Sequence, residues 1–248
     1  MEPSVSCVMP CGYGDKYVGL AIQCFLDQRY AGHRELVIVD NNDGDVQFGV
    51  NVPADMDPEI VTVKYVRSTR MPVGALRNLG AQHAAGNVIC IWDEDDFSNS
   101  DRVAEQVKRL QESGKAVTGW HAVNYYDEET GGTFKYSYSP GRAHEPYAMG
   151  ASHCFLKSWW EKHPYVEQGV EDKIFSDEAM HAGQLDSCDA GHLYVARIHD
   201  SNVIKKNQYL GRHKQWPAVD RATFPEEFFS AVMAERSSTD QTADGGKE

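Results

Sequence analysis

Residues 72–96 read PVGALRNLGAQHAAGNVICIWDEDD, and this stretch decides the fold class. The part from Pro72 to Ala85 has helical spacing; proline is acceptable in a first helical turn, and Gly86 is the expected stop. The apolar run from Val88 to Trp92 is typical of a buried strand, and it leads directly into Asp93-Glu-Asp-Asp96. A helix, a buried strand and an acidic turn in this order indicate an α/β fold with polar groups at a strand's carboxyl end.

The segments on either side extend this alternation of helix and strand. Apolar patterning predicts strands over 5–9, 36–39 and 60–66 and helices over 16–28, with Asp15 as N-cap, and over 101–111. The less regular second half predicts strands over 115–120, 133–138, 151–156 and 193–198 and helices over 170–181 and 225–236. We therefore expect an α/β fold built on a Rossmann-like, mostly parallel mixed sheet with helices on both faces.

The composition excludes several classes of protein. Hydrophobic residues make up 41% of the 248, which suits one sizeable domain. No apolar run approaches the ~20 residues of a membrane span, and the start, MEPSVSCVMP, does not read as a signal peptide. Six cysteines without a CxxC pair indicate reduced core thiols rather than a disulfide framework or a zinc site. We expect a soluble, cytoplasmic protein with no integral membrane segment.

The net charge of −13 bears on possible partners. An acidic surface repels phosphate backbones, so broad nucleic-acid binding is not favoured. One segment runs against this trend, because the stretch from Arg197 to Lys214 carries several bases against a single acid, Asp200. Its lysines and arginines are Arg197, Lys205, Lys206, Arg212 and Lys214. A local basic groove, and with it a nucleic-acid partner, therefore stays open.

The acidic turn after the fourth strand has two interpretations. Asp93 and Asp95 place two carboxylates on the same side of a short turn, and such oxygen ligands suit Mg²⁺ or Mn²⁺. A divalent ion held there would bridge the diphosphate of a nucleotide. The plain alternative is a solvated acidic turn that caps the following helix. A position directly after an apolar strand of an α/β fold makes the two interpretations about equal.

The same stretch, 72–96, closely resembles family 2 glycosyltransferases, which have an R-N-x-G helix, an A-x-G stop, an apolar strand and then D-x-D-D. The start of the chain matches as well, with a strand ending in Pro10, a helix ending in Leu26-Asp-Gln28 and a strand ending in Asp40. Together these features cover roughly the first 110 residues. The first turn, Cys11-Gly-Tyr-Gly14, departs from the threonine-tyrosine-asparagine that is usual in the family. The resemblance implies a GT-A fold, a nucleotide-diphosphate-sugar donor such as a UDP-sugar, and inverting chemistry.

The resemblance also implies roles on the donor side. Pro10 and Asp40 would lie at the nucleotide, with Asp40 in contact with the base, and Arg77 would reach the diphosphate, whose oxygens suit a guanidinium. Asp93 would contact the ribose or the donor sugar and Asp95 would bind the metal, Mn²⁺ or Mg²⁺. Without the motif, Asp40 reads as a turn cap and Arg77 as a helix-surface ion pair. Glu94 is expected to point away from the site, and Asp96 has no assigned role.

The second half carries the acceptor residues that the resemblance implies. Val170-Glu-Asp-Lys-Ile-Phe175 resembles the family's E-D motif, so Asp172 would be the general base, with Glu171 as the fallback. The plain alternative is two acids that favour a helix N-terminus. His199, after the last strand, would complete the metal site with Asp95 and Asp93, or be an ordinary hydrogen-bonded histidine. Among the aromatic residues, Trp120 is the best candidate for stacking on an acceptor.

The domain division and the alternatives follow from these assignments. We expect one glycosyltransferase domain over 1–236, with a nucleotide-sugar-binding half at 1–110, an acceptor half at 111–205, a C-terminal extension at 206–236, and a disordered tail at 237–248. The first alternative is a sugar-phosphate nucleotidyltransferase, although the first turn lacks that class's basic glycine-rich loop. The second is a non-catalytic module that binds a nucleotide-sugar. The acceptor hydroxyl could belong to a glycan, a lipid-linked sugar, a protein or a modified base in DNA, and the oligomeric state is not predicted.

Overall fold

The computed structural model describes residues 2–12, 15–42, 53–54, 56–138, 146–202 and 216–235. Within these ranges ten strands form one mixed sheet. The strands are β1 Val5–Cys11, β2 Arg34–Asp40, β3 Val61–Arg67, β4 Val88–Ile91, β5 Phe97–Ser98, β6 Val117–Asp127, β7 Thr133–Ser137, β8 Cys154–Leu156, β9 Leu185–Asp189 and β10 Tyr194–Ile198. The helices are α1 Val18–Leu26, α2 Val73–His83, α3 Arg102–Ser113, α4 Lys157–Trp160, α5 Glu171–His181 and α6, residues 228–235.

The sheet runs in the order β3-β2-β1-β4-β8-β6-β10-β5, and β7 and β9 pair with β6 off this path. Strand β1 lies between β2 and β4 and is parallel to both, with Val8 opposite Val37 on one side and Ile91 on the other. Every residue of these three strands is buried. Parallel strands that are buried on both faces require helices on both sides of the sheet.

The two faces of the sheet carry separate hydrophobic clusters. Alternate residues of a strand point to opposite faces, and in β1 Cys7 joins one cluster while Val8 joins the other. The Cys7 face packs against helices α1, α3 and α6, and the Val8 face packs against α2 and α5. The predicted fold class, a mostly parallel mixed sheet covered by helices on both faces, is therefore confirmed.

Two glycines of the opening stretch allow close approaches between backbones. A Cβ on Gly80, in α2, would lie 2.2 Å from Cγ1 of Val8 in β1, so only glycine lets α2 lie this close to the sheet. A Cβ on Gly86 would lie 2.7 Å from the backbone nitrogen of Ser6. The helix ends earlier, at His83, so the prediction that Gly86 stops it was wrong. Gly86 instead lets the chain pass close to β1 just before β4 begins.

Several boundaries differ from those predicted by the sequence. Strand β1 continues through Pro10 to Cys11, because a proline on a parallel strand loses only one ladder donor. Helix α1 begins at Val18 after a 3₁₀ turn, and its N-cap position is Tyr17 rather than Asp15. Strand β6 runs for 11 residues, well past the predicted end at Trp120. Strands β5 and β9 and helix α4 are too short or too polar to give a pattern and were not predicted.

The C-terminal segment packs on the sheet through aromatic rings. Phe228, in α6, is fully buried and lies in edge-to-face contact with Phe97 at 5.4 Å and with Tyr126 at 5.3 Å between ring centroids. The predicted terminal helix is thus present at residues 228–235. The tail at 237–248 lies outside the described residues, as do Lys205, Lys206, Arg212 and Lys214 of the predicted basic segment.

Two further observations concern cysteines and membranes. All six cysteines are free thiols, five of them buried, and Cys188 is half-buried. Among the helices of the described ranges, none is long and apolar enough to cross a membrane.

Candidate functional site

Three polar segments meet at the carboxyl ends of β1, β2 and β4. The backbone amide of Gly12, just after β1, donates to Oε2 of Glu94 at 3.0 Å, and that of Asn41, just after β2, donates to the carbonyl of Cys11 at 3.0 Å. Gly12 has φ of 138°, a conformation that favours glycine, and a Cβ there would lie 3.2 Å from Cβ of Asn41. The acidic turn after β4 is thus tied to the end of β1 at the edge where α/β sheets bind ligands.

Arg77 lies at the centre of the charged groups of this edge. Its side chain comes from α2 and is only 7% exposed. Nη1 lies 3.0 Å from Oε1 of Glu171, at the start of α5, and Nη2 lies 3.9 Å from Oδ1 of Asp93. Nε is buried and has no hydrogen-bond partner among the described residues. The alternative interpretation of Arg77, an ion pair on a helix surface, is therefore wrong. The guanidinium is buried among acids from two other elements.

The carboxyl group of Asp93 has an unusual titration. Burial is the main cause that raises its pKa to about 6; the nearby carboxylates of Asp95 and Asp172 add to the rise, and Arg77 opposes it. Asp93 keeps 29% of its side chain exposed, so it faces the open side of the site. A group of acids with one buried guanidinium is an environment that favours a bound cation.

Of the three residues predicted to hold a metal, Asp95, Asp93 and His199, the structure brings Asp95 and His199 into contact. Nε2 of His199 lies 3.1 Å from Oδ2 of Asp95, and Nδ2 of Asn202 lies 3.1 Å from each of these atoms. Adjacent ligands of one octahedral ion, each about 2.1 Å from it, stand roughly 3 Å apart, so the spacing fits two donors to the same ion. Nδ1 of His199 is buried and has no hydrogen-bond partner in the described part of the chain.

The protein alone supplies an incomplete coordination shell. Among the described residues, no group of three or more His, Cys, Asp or Glu side chains is placed to hold a metal ion. Asp95 and His199 are two possible ligands, and Nδ2 of Asn202, which is a hydrogen-bond donor and not a cation ligand, lies 3.1 Å from both. The ring of His199 is held in place by Tyr17, whose ring centroid lies 4.2 Å away. A divalent ion therefore fits this site if a ligand such as a diphosphate completes the shell.

The other two acids of the turn have structural partners. Glu94 is 4% exposed and accepts the Gly12 amide, so the expectation that it points away from the site was wrong. Asp96 is also buried; its oxygens accept the hydroxyl of Tyr194 and, at 2.8 Å, the backbone amide of Arg197. Burial raises the pKa of Asp96 well above its usual value. Asp96 therefore fixes β10 beside the turn and places His199, two residues after Arg197.

The end of β2 forms the part of the site that the sequence predicts to contact the nucleotide. Asp40 is fully buried; its oxygens accept the Tyr65 hydroxyl and, at 3.0 Å, the backbone amide of Asn42. The turn-cap interpretation of Asp40 is thus realised, and its contact with a base stays a prediction. Pro10 is buried in β1 opposite Val39, so its predicted place at the nucleotide rests on its position near the strand end.

The predicted general base lies on the other side of Arg77. Asp172, in the first turn of α5, is partly exposed, and Oδ2 accepts a hydrogen bond from the hydroxyl of Tyr147 at 3.3 Å. A Cβ on Gly150 would lie 2.6 Å from Cβ of Asp172 and 3.0 Å from Nη1 of Arg77. Gly150 therefore allows Asp172 and Arg77 to approach the same point of the backbone. The pKa of Glu171 is raised, mainly by burial, and Arg77 opposes the rise.

A buried histidine holds the segment between Tyr147 and α5. Nε2 of His153 lies 2.9 Å from Oγ of Ser176, in α5, and 3.1 Å from the carbonyl of Ala148, while Nδ1 lies 2.8 Å from the hydroxyl of Tyr165. Burial lowers the pKa of His153 to about 4, and Arg77 contributes to the shift. The ring is therefore neutral near pH 7 and joins α5 to the segment that carries Tyr147.

Two sequence-based expectations about other residues were wrong. Trp120 does not line an acceptor site, because it is fully buried within β6, with its ring 5.3 Å from that of Tyr194. Arg197 does not belong to an open basic groove; its side chain is 1% exposed and pairs with Glu128 at 2.7 Å and with Glu235, in α6, at 2.5 Å.

Four residues near the site were missed by the sequence reasoning. Asn78, beside Arg77, accepts from the amide of Tyr165 at 3.0 Å and donates to its carbonyl at 2.7 Å, so it anchors the chain before α5. The R-N pair in the family pattern was a signal for it. Tyr147, Gly150 and His153 lie in a segment without periodicity, and their contacts arise only from the tertiary fold.

Comparisons with known proteins identify the family and the fold of this chain. The model of glycosyl transferase family 2 matches residues 6–171. A protein of Haemophilus influenzae described as an uncharacterized glycosyltransferase is 26% identical over 117 residues, which are 47% of this chain and 46% of that protein. The alignment thus spans less than half of that relative's length.

Solved structures show the fold. TarS 1–349 of S. aureus in complex with UDP-GlcNAc has 15% identity and a TM-score of 0.57, over 80% of this chain and 59% of that one. The mannosyltransferase PcManGT from Pyrobaculum calidifontis in complex with GDP-Man and Mn²⁺ has 14% identity and a TM-score of 0.59, over 88% and 66%. The fold is that of GT-A glycosyltransferases. Because the family model covers most of the chain, the protein belongs to glycosyl transferase family 2.

Proposed function

We propose that the protein transfers a sugar, with inversion, from a UDP-sugar to an acceptor hydroxyl in the presence of Mn²⁺ or Mg²⁺. The observation that carries the proposal is that Asp93 and Glu171 each place a carboxylate oxygen within 4 Å of the Arg77 guanidinium, although Arg77 and Glu171 are 94 residues apart in sequence. A buried cation between two carboxylates, at the ligand-binding edge of the sheet, costs desolvation that a purely structural role does not require.

The donor would occupy the edge formed by the ends of β1, β2 and β4. Pro10 and Asp40 lie at the nucleotide end, with Asp40 as the contact to the base. Arg77 would reach the diphosphate through guanidinium donors that Glu171 does not use, since a guanidinium offers several donors in a fixed plane and Glu171 bonds only Nη1. Asp93, which is partly exposed, would accept from the ribose or the donor sugar. Uridine is the first nucleotide to test because TarS of S. aureus was solved with UDP-GlcNAc and with UDP.

Asp95 and His199 would hold the divalent ion, with Asn202 beside them and Asp93 as a further carboxylate. When bound, the ion neutralises charge on the diphosphate leaving group. Asp96 and Tyr17 keep the two donor side chains at their 3.1 Å spacing. The PcManGT structure, which contains Mn²⁺ and GDP-Man, makes manganese the first metal to test.

Asp172 would act as the general base, with Glu171 as the fallback. The acceptor oxygen attacks the anomeric carbon and forms the new C–O bond, its proton passes to the carboxylate of Asp172, and the bond from the anomeric carbon to the diphosphate oxygen breaks, releasing UDP. Glu171 already bonds Arg77 at 3.0 Å, whereas Asp172 is partly exposed and bonds the neutral hydroxyl of Tyr147. The structure therefore supports Asp172 as the base and Glu171 as the residue that orients Arg77.

The test compares Asp172→Asn with Asp177→Asn, one turn and a half further along the same helix. Asp177 forms an exposed ion pair with Lys173, so its substitution changes stability by less than about 1 kcal/mol. With a UDP-sugar and Mn²⁺, we expect Asp172→Asn to lower kcat for UDP release by ~10²–10⁴-fold, as loss of a general base does, while UDP binds with unchanged affinity. Equal rates in the two variants would remove Asp172 from the mechanism, and no release of UDP by the unmodified enzyme with any UDP-sugar would refute the proposed donor.

A further inference from the structure

We propose that the acceptor is a neutral carbohydrate, and that it binds on an aromatic wall formed by Tyr136, Tyr138, Tyr147 and Trp216. The inference rests on the proposed function, because it names the substrate class of the same site. It also assigns Tyr147 as the residue at which this wall reaches the general base.

The wall is a continuous row of rings. The ring centroids of Trp216 and Tyr136 are 4.5 Å apart, those of Tyr136 and Tyr138 are 4.4 Å apart, and those of Tyr138 and Tyr147 are 5.1 Å apart. All four side chains are partly exposed. A fifth ring, Tyr125, is buried behind them, with its hydroxyl 2.6 Å from that of Tyr138. The row is therefore supported from the core and presents surface to solvent.

One end of the row is fixed to the catalytic helix. The Tyr147 hydroxyl donates to Oδ2 of Asp172 at 3.3 Å, and the Tyr147 carbonyl accepts from Oγ of Ser187 at 2.5 Å, so both its side chain and its backbone are held. Burial and the neighbouring carboxylate raise the pKa of Tyr147, so the phenol stays a hydrogen-bond donor at neutral pH. An acceptor lying on this wall would bring a hydroxyl to Asp172.

The chemistry of the wall fits a neutral sugar. The C–H face of a pyranose ring is apolar and packs on an aromatic face, while phenol hydroxyls at the rim can pair with sugar hydroxyls. The charges around the general base are negative in sum, because three carboxylates, those of Asp93, Glu171 and Asp172, surround one guanidinium, that of Arg77. The whole chain also carries −13. The basic side chain on β7, that of Lys135, already forms an ion pair with Asp189. A polyanion such as a nucleic acid would therefore meet repulsion at this end of the wall.

The row also has a plain explanation, which the test must separate from the proposal. Partly buried rings on a two-stranded hairpin, here β6 and β7, pack against the core of most proteins, and these rings do contact such a core. Loss of a merely structural ring lowers stability without a specific effect on the KM for an acceptor. Loss of an acceptor-binding ring raises that KM even when the variant is fully folded.

The experiment measures release of UDP from a UDP-sugar with Mn²⁺, against the concentration of methyl glycosides of glucose, galactose, mannose and N-acetylglucosamine and of their disaccharides. We expect at least one neutral glycoside to raise the rate above hydrolysis in water and to yield a glycosylated product. Tyr138→Ala should raise the KM for that glycoside about tenfold, the usual cost of losing one stacking ring. Tyr147→Phe keeps the ring and removes the hydroxyl, so kcat should fall about tenfold with KM little changed.

The matched control is Tyr30→Phe, since the Tyr30 hydroxyl bonds the Pro3 carbonyl before β1, at the opposite edge of the sheet. A second readout, tryptophan fluorescence, should change when the active glycoside is added to the unmodified enzyme and stay constant in Trp216→Phe. Hydrolysis of the donor without stimulation by any neutral glycoside would overturn the acceptor class alone, and so would a KM that is unchanged in folded Tyr138→Ala. Absence of any UDP release would instead refute the proposed function, and the acceptor proposal with it.

Discussion

Substitution of Gly150 by alanine tests how closely the two halves of the site must approach each other. The added Cβ would lie 2.6 Å from Cβ of Asp172, whereas carbon atoms in contact are about 3.5–4.0 Å apart, so the start of α5 must move by roughly 1 Å. Arg77 Nη1, at 3.0 Å from the same Cβ, must move as well. A misplacement of about 1 Å costs ~10²-fold in rate, and overpacking costs about 1–3 kcal/mol of stability. We therefore expect kcat to fall ~10²-fold in an enzyme that still folds.

The assay is UDP release from a UDP-sugar with Mn²⁺, combined with urea unfolding of the same samples. Gly19→Ala is the matched control, because nothing lies within 4 Å of a Cβ at this exposed position of α1, and alanine there should stabilise the helix by up to about 1 kcal/mol. If Gly150→Ala kept the full kcat at unchanged stability, the close approach of Asp172 and Arg77 would have no catalytic importance and the argument from geometry would fail.

Three other predictions concern groups that hold the site in place. Asn78→Ala removes three partly buried hydrogen bonds to the segment before α5 and should lower the free energy of unfolding by about 2–4 kcal/mol, measured in urea. His153 has a pKa of about 4 in the folded protein and ~6.5 when unfolded. Its contribution to stability, about 3 kcal/mol, is therefore present above pH 6.5 and is lost as the pH falls to 4. His153→Gln should flatten that part of the curve of unfolding free energy in urea against pH. Arg197→Met leaves two glutamates without their buried partner and should cost about 3–5 kcal/mol, visible as a lower Tm, whereas a loss below 1 kcal/mol would mean that these ion pairs are not formed in solution.

The first half of the fold could be predicted from the sequence because its elements carry strong local signals. The apolar runs of β1, β2 and β4 are buried on both faces and end in polar turns. Helix α2, which carries Arg77, lies between β2 and β4 in the sequence. The meeting of the acidic turn with His199 was also predicted, from the family pattern rather than from any local rule. Local signals therefore suffice to predict a region in which buried strands, covered on both faces, alternate with helices.

The acceptor side could not be predicted in the same way. Tyr147 and Gly150 lie between β7 and β8 in a segment without periodicity, and their importance comes from contacts with α2 and α5, which are distant in sequence. Trp120 was chosen because it closed an apolar run, yet β6 continues through it and buries the ring. Arg197 counted as a surface base because sequence shows charge but not the buried acids that pair with it.

In the proposed function, the turn from Asp93 to Asp96 binds a nucleotide-sugar through a divalent ion held by Asp95 and His199. The most direct measurement is the affinity for UDP-GlcNAc by isothermal titration calorimetry, with Mn²⁺ and with EDTA, for the unmodified enzyme and for Asp95→Asn. We expect binding in Mn²⁺ that weakens about tenfold or more in EDTA, and an Asp95→Asn variant that binds equally weakly in both conditions. Equal affinity of the unmodified enzyme with and without the metal, or an Asp95→Asn variant that keeps its response to Mn²⁺, would contradict the claim.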